Sequence, residues 1–591
     1  MRAVRELSLA APLLLVGLAL FFGGGPADGS ISWLGGLALL SILVLLAVRG
    51  LPGGALSVVP LAVLAAWCAV SIAWSWLPDR SWDYANRTTV YALAALLGLW
   101  AAARTRALAA GLALLLGAVI VWSLLGKVLP SLYDYGGPDV TRLRGPIGLW
   151  NQLALAADFG LLLALVFRKR FGVLLAYAAL VALLLTYSRG GVITAVVVLA
   201  AWFLLSDDRL EGAACLIAAA IPAAVVVGIA FALPGITKNG QSTHVRWRDG
   251  LVFGIVLVAG AAVGLALESR ALLRNVRVVR WIGAAAVCAA IAAGIVVLVR
   301  GVGSGTVGNG GGRFASTSSN FRFTWWKEAW HGFTHHVLAG TGAGSFNLLN
   351  LLYRKSYLDF TIEPHDLPLQ FLAELGVVGL VLLVVAMAVL LRRGIGRRGH
   401  ELALALLLPA FLIHSLVDID WDFAAVAIPA FVAAGAVAGR PGDRRLSANV
   451  LLPATGVAIL LAGAFFSPWL ARRWANDALF TASSSHAITL ANRAHSLDPL
   501  LLDPYWAKAS ALDASGKTQQ AFDEYVAAVK RQPHNPDAWY FAGKYAWEQH
   551  CPYLAYDYLL PYTELNQNAL GDGGDIYNAA LKRVNHRQYR C

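Results

Sequence analysis

Charged residues are scarce in this chain. Asp, Glu, Lys and Arg make up 14% of its 591 residues, while 58% are hydrophobic and the mean hydropathy is +0.64. A soluble protein carries roughly a quarter charged residues. Several soluble domains of this total length would need more polar surface than the sequence offers. The same figures exclude a disordered chain, a coiled coil and a collagen-like fibre. Acidic residues are the scarcer sign, 34 against 47 basic, for a formal charge of +13. In a membrane chain that excess reads as a positive cytoplasmic face, and no nucleic-acid partner is expected. Cysteine is scarce as well, with five in all. Cys68, Cys215 and Cys288 fall in apolar runs and read as small apolar fillers. Cys551 and Cys591 fall in a polar tail, where an extracytoplasmic compartment would permit a bridge between them.

What the sequence has in abundance is apolar runs. A span needs about 20 mainly apolar residues. Candidates lie at 7–22, 33–48, 58–72, 90–102, 107–125, 152–167, 173–187, 192–205, 213–233, 251–267, 281–299, 369–391, 402–417, 423–437 and 451–466. With Arg2 and Arg5 in the cytoplasm, every second loop is basic: Arg49, then Arg104 and Arg106, Arg168 to Arg170, Arg209, Arg270 to Arg280, Arg392 to Arg398, and Arg440 to Arg445. An odd number of spans puts the C-terminal region outside. The first run is expected to be a retained span rather than a cleaved leader, for lack of a small-x-small site before Gly23. The fold class expected is all-α: a polytopic transmembrane helical bundle over 1–470, with a long outer loop at 300–368, followed by an extracytoplasmic helical domain over 471–591.

The tail repeats itself. Pro499 and Pro533 are 34 residues apart, Ala521-Phe522-Asp523 aligns with Ala555-Tyr556-Asp557 at the same spacing, and Trp506 and Trp539 hold similar places in their units. The period resembles a tetratricopeptide-type array of helical hairpins, which offers a concave surface to a partner. The bland alternative is a helical domain that only supports the membrane part.

Polar residues near spans are costly to keep. Sorted by predicted side, they gather outside: Arg142, Arg144, Asn151, Arg189, His244, Arg246, Arg248, Arg313, Arg322, His365, Glu374, His414 and Asp418. Tyr187-Ser188-Arg189-Gly190-Gly191 sits between two spans; its glycines allow close helix approach and its guanidinium suits phosphate oxygens. Arg322 opens a stretch with helical spacing, whose Trp325, Trp326 and Trp330 are expected at the bilayer surface. Gly340 to Phe346 forms a weak glycine-turn signal, with no preceding strand to support nucleotide binding. Gln370 and Glu374 share a helix face, and the buried glutamate is expected to pair with an arginine. Histidines titrate near neutral pH, so His365 could move a proton or hold a phosphate. Metal binding is a rival at His331, His335 and His336, but no HExxH pattern exists, and the alternating Asp418, Asp420 and Asp422 are expected to be solvated at a helix end. No metal or other cofactor is expected.

The order of these motifs is more specific than any one. Arg142-Leu143-Arg144-Gly145-Pro146, Asn151-Gln152, Tyr187-Ser188-Arg189-Gly190, Arg322 with Trp326, Gly342 to Phe346, His365 with Glu374, and His414-Ser415-Leu416-Val417-Asp418 follow one another through residues 1–440. The series resembles the O-antigen ligase and O-antigen polymerase superfamily, bacterial integral-membrane glycosyltransferases. The repeat tail departs from the simplest members. The resemblance implies a GT-C-type enzyme of the cytoplasmic (inner) membrane that transfers a glycan from an undecaprenyl-diphosphate-linked donor to an outer acceptor, with inversion and without a metal. By motif position, Arg189 and Arg322 would grip the diphosphate, aided by Arg142 and Arg246, with Arg248 and Arg313 in reserve. His365 would act at the reacting centre, supported by Asn151, Glu374, His414 and Asp418. The residue types agree: two guanidiniums can hold the charge that a diphosphate leaving group develops. Ligase and polymerase stay open, as does the acceptor, whether lipid, glycan or protein. A protein O-oligosaccharyltransferase, a lipid-linked oligosaccharide transporter or flippase, and a scaffold whose repeat tail recruits an envelope-assembly protein are the alternatives.

Overall fold

The computed structural model describes residues 2–23, 28–132, 141–269, 313–314, 316, 318–569 and 572–585. The candidate span at 281–299, the Arg270 to Arg280 series and Cys591 lie outside the described residues.

The chain is an all-α polytopic bundle. Among the described helices, 7 are long and apolar enough to cross a membrane, and shorter apolar helices stand beside them, among them Arg170–Leu185, Arg189–Leu205, Gly399–His414 and Ala424–Ala438. Helix Ala424–Ala438 is buried along its whole length and occupies the centre of the bundle. It packs on Pro78–Trp100 at backbone contact. A Cβ on Gly98 would fall 2.2 Å from the Val432 carbonyl oxygen, and one on Gly435 would fall 2.0 Å from that of Ala95. In lipid, where apolar burial gives little drive between helices, this close approach is how small residues hold a bundle together.

Helix Pro78–Trp100 corrects the expected span at 90–102. It begins twelve residues earlier than hydropathy suggested. Its polar first half is buried rather than solvated, because Asp83 pairs with Arg472 at 2.5 Å and Arg87 with Asp422 at 2.5 Å. A hydropathy window sees only the cost of these charges and not their partners.

The two ends of the bundle differ. At one end basic loops gather: Arg49 pairs with Asp443, Arg104 with Glu6, Arg168 with Asp208, and Arg397 with Glu401. A short antiparallel pairing of 51–53 with 440–444 ties two of these loops together. The opposite end carries the N-termini of Pro78–Trp100, Trp150–Phe167, Arg189–Leu205 and Leu367–Gly394, and the polar clusters described below.

Helix Ala448–Phe480 runs unbroken from the bundle into the tail. The tail then stacks successive short helices from Ser484–Leu497 to Asp572–Asn585. Pro499 and Pro533 fall in the turns between helices, and Trp506 and Trp539 lie in the helices that follow. Buried alanines at 507, 511, 521, 528, 538, 542 and 555 let the helices close on one another. The tail is fastened to the polar end of the bundle. Gln532 donates to Asp79 at 2.8 Å, Arg354 to Asn566 at 2.8 Å, and His534 stacks on Trp76 with centroids 4.6 Å apart. Cys551 is disulfide-bonded, whereas Cys68 and Cys215 are free and buried.

Candidate functional site

The site is organised around the loop that joins Gly399–His414 to Ala424–Ala438. All three alternating aspartates of this loop are buried, the residues 3%, 0% and 3% exposed at positions 418, 420 and 422. That corrects the expectation of solvated carboxylates. Each has its own set of partners, which is what makes burial of three acids affordable.

Asp418 is the hub. Its Oδ2 accepts from Asn151 at 2.5 Å and from Arg322 at 3.2 Å, and its Oδ1 accepts from Gln152 at 3.3 Å. His365 Nδ1 stands 3.6 Å from Oδ1. Burial by itself would raise the Asp418 carboxyl. His365, Arg322 and His414 outweigh it and hold the group well below the usual carboxylate range. Arg142 reaches the hub from behind: it donates to Asn151 at 3.1 Å and to the Thr186 carbonyl at 2.8 Å, and lies 4.1 Å over the Trp150 ring. It is fully buried, so it acts on the site through Asn151.

Arg189 and Arg322 each stand in the first turn of a helix, Arg189–Leu205 and Arg322–His335. The positive dipole ends of two helices therefore add to the field of the guanidiniums. Ser188 caps the first of these helices by accepting from the Gly191 amide at 3.2 Å. The next two glycines of the motif serve packing. A Cβ on Gly190 would lie 3.1 Å from Val417 and 3.5 Å from His414 Nε2, and one on Gly191 would lie 2.6 Å from Ala154. Arg189 donates to the Ser316 and Ser318 carbonyls at 2.5 and 2.6 Å, and Arg322 donates to the Val417 carbonyl at 2.8 Å. Arg189 thus lies against the stretch just before Arg322, Arg322 lies against the Asp418 loop, and burial, then the charge of Arg322, lowers Arg189. Arg313 completes a trio. Burial, then the like charges of Arg189 and Arg322, lower it to about 10, with Asp418 opposing. Three cations close enough to repel one another beside a single hub carboxylate form a site that favours an anion.

His365 has a backbone φ of +57°, in the left-handed region. Trp325 fixes the ring from the other side, stacked at 5.0 Å and 20° between planes, and anchors itself by donating to the Asp359 carbonyl at 2.7 Å. Trp325 is 6% exposed, so the expectation that it sits at the bilayer surface is corrected: it is the platform for the histidine.

Glu374 also departs from expectation. Among the described residues no arginine bonds to its buried carboxylate, and Arg80 acts on it only through its charge. The carboxylate accepts from the backbone amides of Gly344 at 2.8 Å and Phe346 at 3.2 Å. The glycine turn from Gly340 to Phe346 wraps this carboxylate, and main-chain donors satisfy it more compactly than a guanidinium could. His414 pairs with Asp420 at 2.7 Å, and Gln152 bridges Asp420 to Asp418. Arg246 lies in the early turns of Thr243–Glu268 with its backbone against Gly235, and Arg248 pairs with Asp249. No contact among the described residues joins either of them to the arginine trio. His331 and His335 stack edge to face at 4.5 Å, with His335 against the His331 carbonyl.

A second polar cluster, on the same end, escaped the sequence. Tyr84 lies 2.7 Å from both Glu363 and Asp422, and Arg80 donates to Glu363 at 3.1 Å. One phenol proton cannot serve two carboxylates. Burial, then the charges of Asp422 and Glu374, push Glu363 well above the usual range, so that its own proton supplies the second bond. Gln370 joins Tyr84 and Glu363 at 2.9 and 2.7 Å. The only sequence signal was a set of charges upstream of an apolar run.

Compared with known families, residues 250–384 match the family model described as O-antigen ligase. That segment, under a quarter of the chain, is similar to an O-antigen ligase domain. The matched segment holds Arg313, Arg322, His365 and Glu374, while Arg189, Asn151 and Asp418 reach the same site from outside it. No curated protein matches the chain. The ligase match and the apolar helices support a multi-pass membrane protein of glycan-transferring type.

Proposed function

We propose that the protein transfers a glycan from an undecaprenyl-diphosphate-linked donor to an acceptor on the outer face of the cytoplasmic membrane, as a ligase or a polymerase of surface polysaccharide. The observation that carries this is the convergence of Arg189, Arg313 and Arg322 beside the Asp418–His365 pair. The acceptor hydroxyl attacks the anomeric carbon from the face opposite the diphosphate. The new C–O bond forms as the old one to phosphate breaks, and the configuration inverts. The acceptor proton passes to His365, oriented by Asp418 and Trp325. The diphosphate leaves as an anion, and its developing charge is met by guanidiniums already fixed by main-chain carbonyls, so that little reorganisation is needed. Arginines stay protonated at any working pH, so charge neutralisation in this scheme requires no metal.

The basic end of the bundle is assigned to the cytoplasm by the positive-inside rule, which puts the site and the tail outside. Residues 1–470 form the transferase domain. The tail from 471 onward is read as a tetratricopeptide-like array, whose exposed face is offered to an envelope-assembly protein.

The test uses purified protein in vesicles without a gradient, given lipid-diphosphate-linked oligosaccharide and a glycan acceptor. Glycan transfer supports the enzyme. Movement of the donor between leaflets without transfer would indicate a carrier instead.

A further inference from the structure

A cavity of about 350 Å³ opens between the bundle and the tail. Its floor is the second polar cluster, with Arg80, Tyr84 and Arg87 from one helix facing Glu363 and Asp422. Its roof is the tail: Arg472 from the last third of the long connecting helix, Leu501 from the turn after Ser484–Leu497, and Asp503 at the start of the next helix. It adjoins the reacting centre through two short stretches of chain. Glu363 is two residues from His365, and Ile419, which lines the cavity, follows Asp418 directly.

The chemistry of this cavity is unlike that of the arginine trio. Its three arginines are already paired, Arg80 with Glu363, Arg87 with Asp422 and Arg472 with Asp83, so a diphosphate would find little uncompensated positive charge, whereas a neutral, hydroxyl-rich group would find both donors and acceptors. Burial raises the carboxyl of Asp503, as it does that of Glu363. Asp422 Oδ2 is buried without a hydrogen-bond partner among the described residues, although the same residue is held firmly through Oδ1 by Arg87 and Tyr84. Asp422 lines the cavity, and a buried acceptor without a bond is a group that a hydroxyl brought beside it would satisfy. The volume is within the range of small-ligand sites.

We propose that this tail-roofed cavity is the acceptor subsite, binding the terminal sugar of the acceptor glycan, and that the tail is required because it supplies one wall. The proposal rests on the glycan-transfer reading above and deepens it. Donor and acceptor then approach the Asp418–Asp422 loop from two sides: the anion on the arginine side, the sugar on the carboxylate side.

The test is binding of a free oligosaccharide, released by mild acid from the surface polysaccharide of the source cells, to the full-length protein in lipid nanodiscs. Leu501→Trp fills the cavity, and Asp503→Asn is the gentler variant should the first fail to fold. Each is expected to weaken oligosaccharide binding by about tenfold or more. Gly228→Ala, where an added Cβ meets nothing within 4 Å, is the control expected to bind it as the parent does. No binding by the parent, or equal binding by the parent and both cavity variants, would overturn the proposal. The glycan-transfer reading is scored separately, by reaction of the parent with the lipid-linked donor, so the failure of one is distinguishable from the failure of the other.

Discussion

His365 Nδ1 and Asp418 Oδ1 lie 3.6 Å apart, with the histidine ring stacked on Trp325 and the carboxylate shared with Arg322. One buried carboxylate thus links His365 to Arg322, which in the proposed mechanism take the acceptor proton and hold the leaving anion. Asp418→Asn keeps the shape and removes the charge. Transfer is expected to fall by at least about 100-fold. Folding stability should drop by about 3 kcal/mol, since Arg322 loses its counter-ion in a largely buried place. Single-turnover kinetics and denaturation in detergent measure both.

Arg313 is held against two like charges, so its removal separates ligand binding from stability. Arg313→Gln should raise the melting temperature of the free protein, because repulsion with Arg189 and Arg322 is relieved. The same variant should bind inorganic diphosphate about tenfold more weakly or worse, from the loss of a charge-assisted hydrogen bond. Thermal shift with and without inorganic diphosphate reads both effects.

Glu328 gives a pH dependence of known sign. Burial raises its carboxyl from 4.5 to about 7, against the opposing bond from Asn350. Between those values the folded protein keeps a proton that the unfolded chain releases. Stability attributable to this group is therefore fully present below about pH 4.5 and is lost as pH rises to about 7. Chemical denaturation across that range should show a decline in the parent and a flatter curve in Glu328→Gln.

Gly376 occupies φ +68°, ψ −168°, a region open essentially to glycine alone. An added Cβ would fall 2.2 Å from the Leu338 carbonyl oxygen. Gly376→Ala should destabilise the protein by about 3 kcal/mol or more, from the backbone conformation together with the clash. Its yield of folded protein in membranes, compared with Gly228→Ala, where a Cβ meets nothing within 4 Å, checks this.

The fold was legible in the sequence because a bilayer imposes a crude rule. Apolar runs of helical length must become helices, and basic loops must share a side. The rule failed at residues 78–89, where Asp83 and Arg87 look too polar for a buried helix until Arg472 and Asp422 are seen beside them. Arg189, Arg322, His365 and Asp418 were visible as a motif series, and the structure brings them together. Their roles rest on the test that follows. The partner of Glu374 was not legible, because main-chain amides leave no side-chain signature. Nor was the function of Trp325, since the sequence cannot tell a ring that faces lipid from one that faces a histidine. The Tyr84–Glu363–Asp422 cluster joins residues separated by 279 and 338 positions, a distance over which local pattern carries nothing.

The central claim is that Arg189 and Arg322 hold one anion. A double-mutant cycle on the affinity of a non-reactive undecaprenyl diphosphonate tests it most directly. The expected result is that Arg189→Ala and Arg322→Ala each weaken binding by about 100-fold, and that the double variant is little worse than either, with a coupling energy above about 1 kcal/mol. Additive losses, or unchanged affinity in either single variant, would contradict a shared diphosphate.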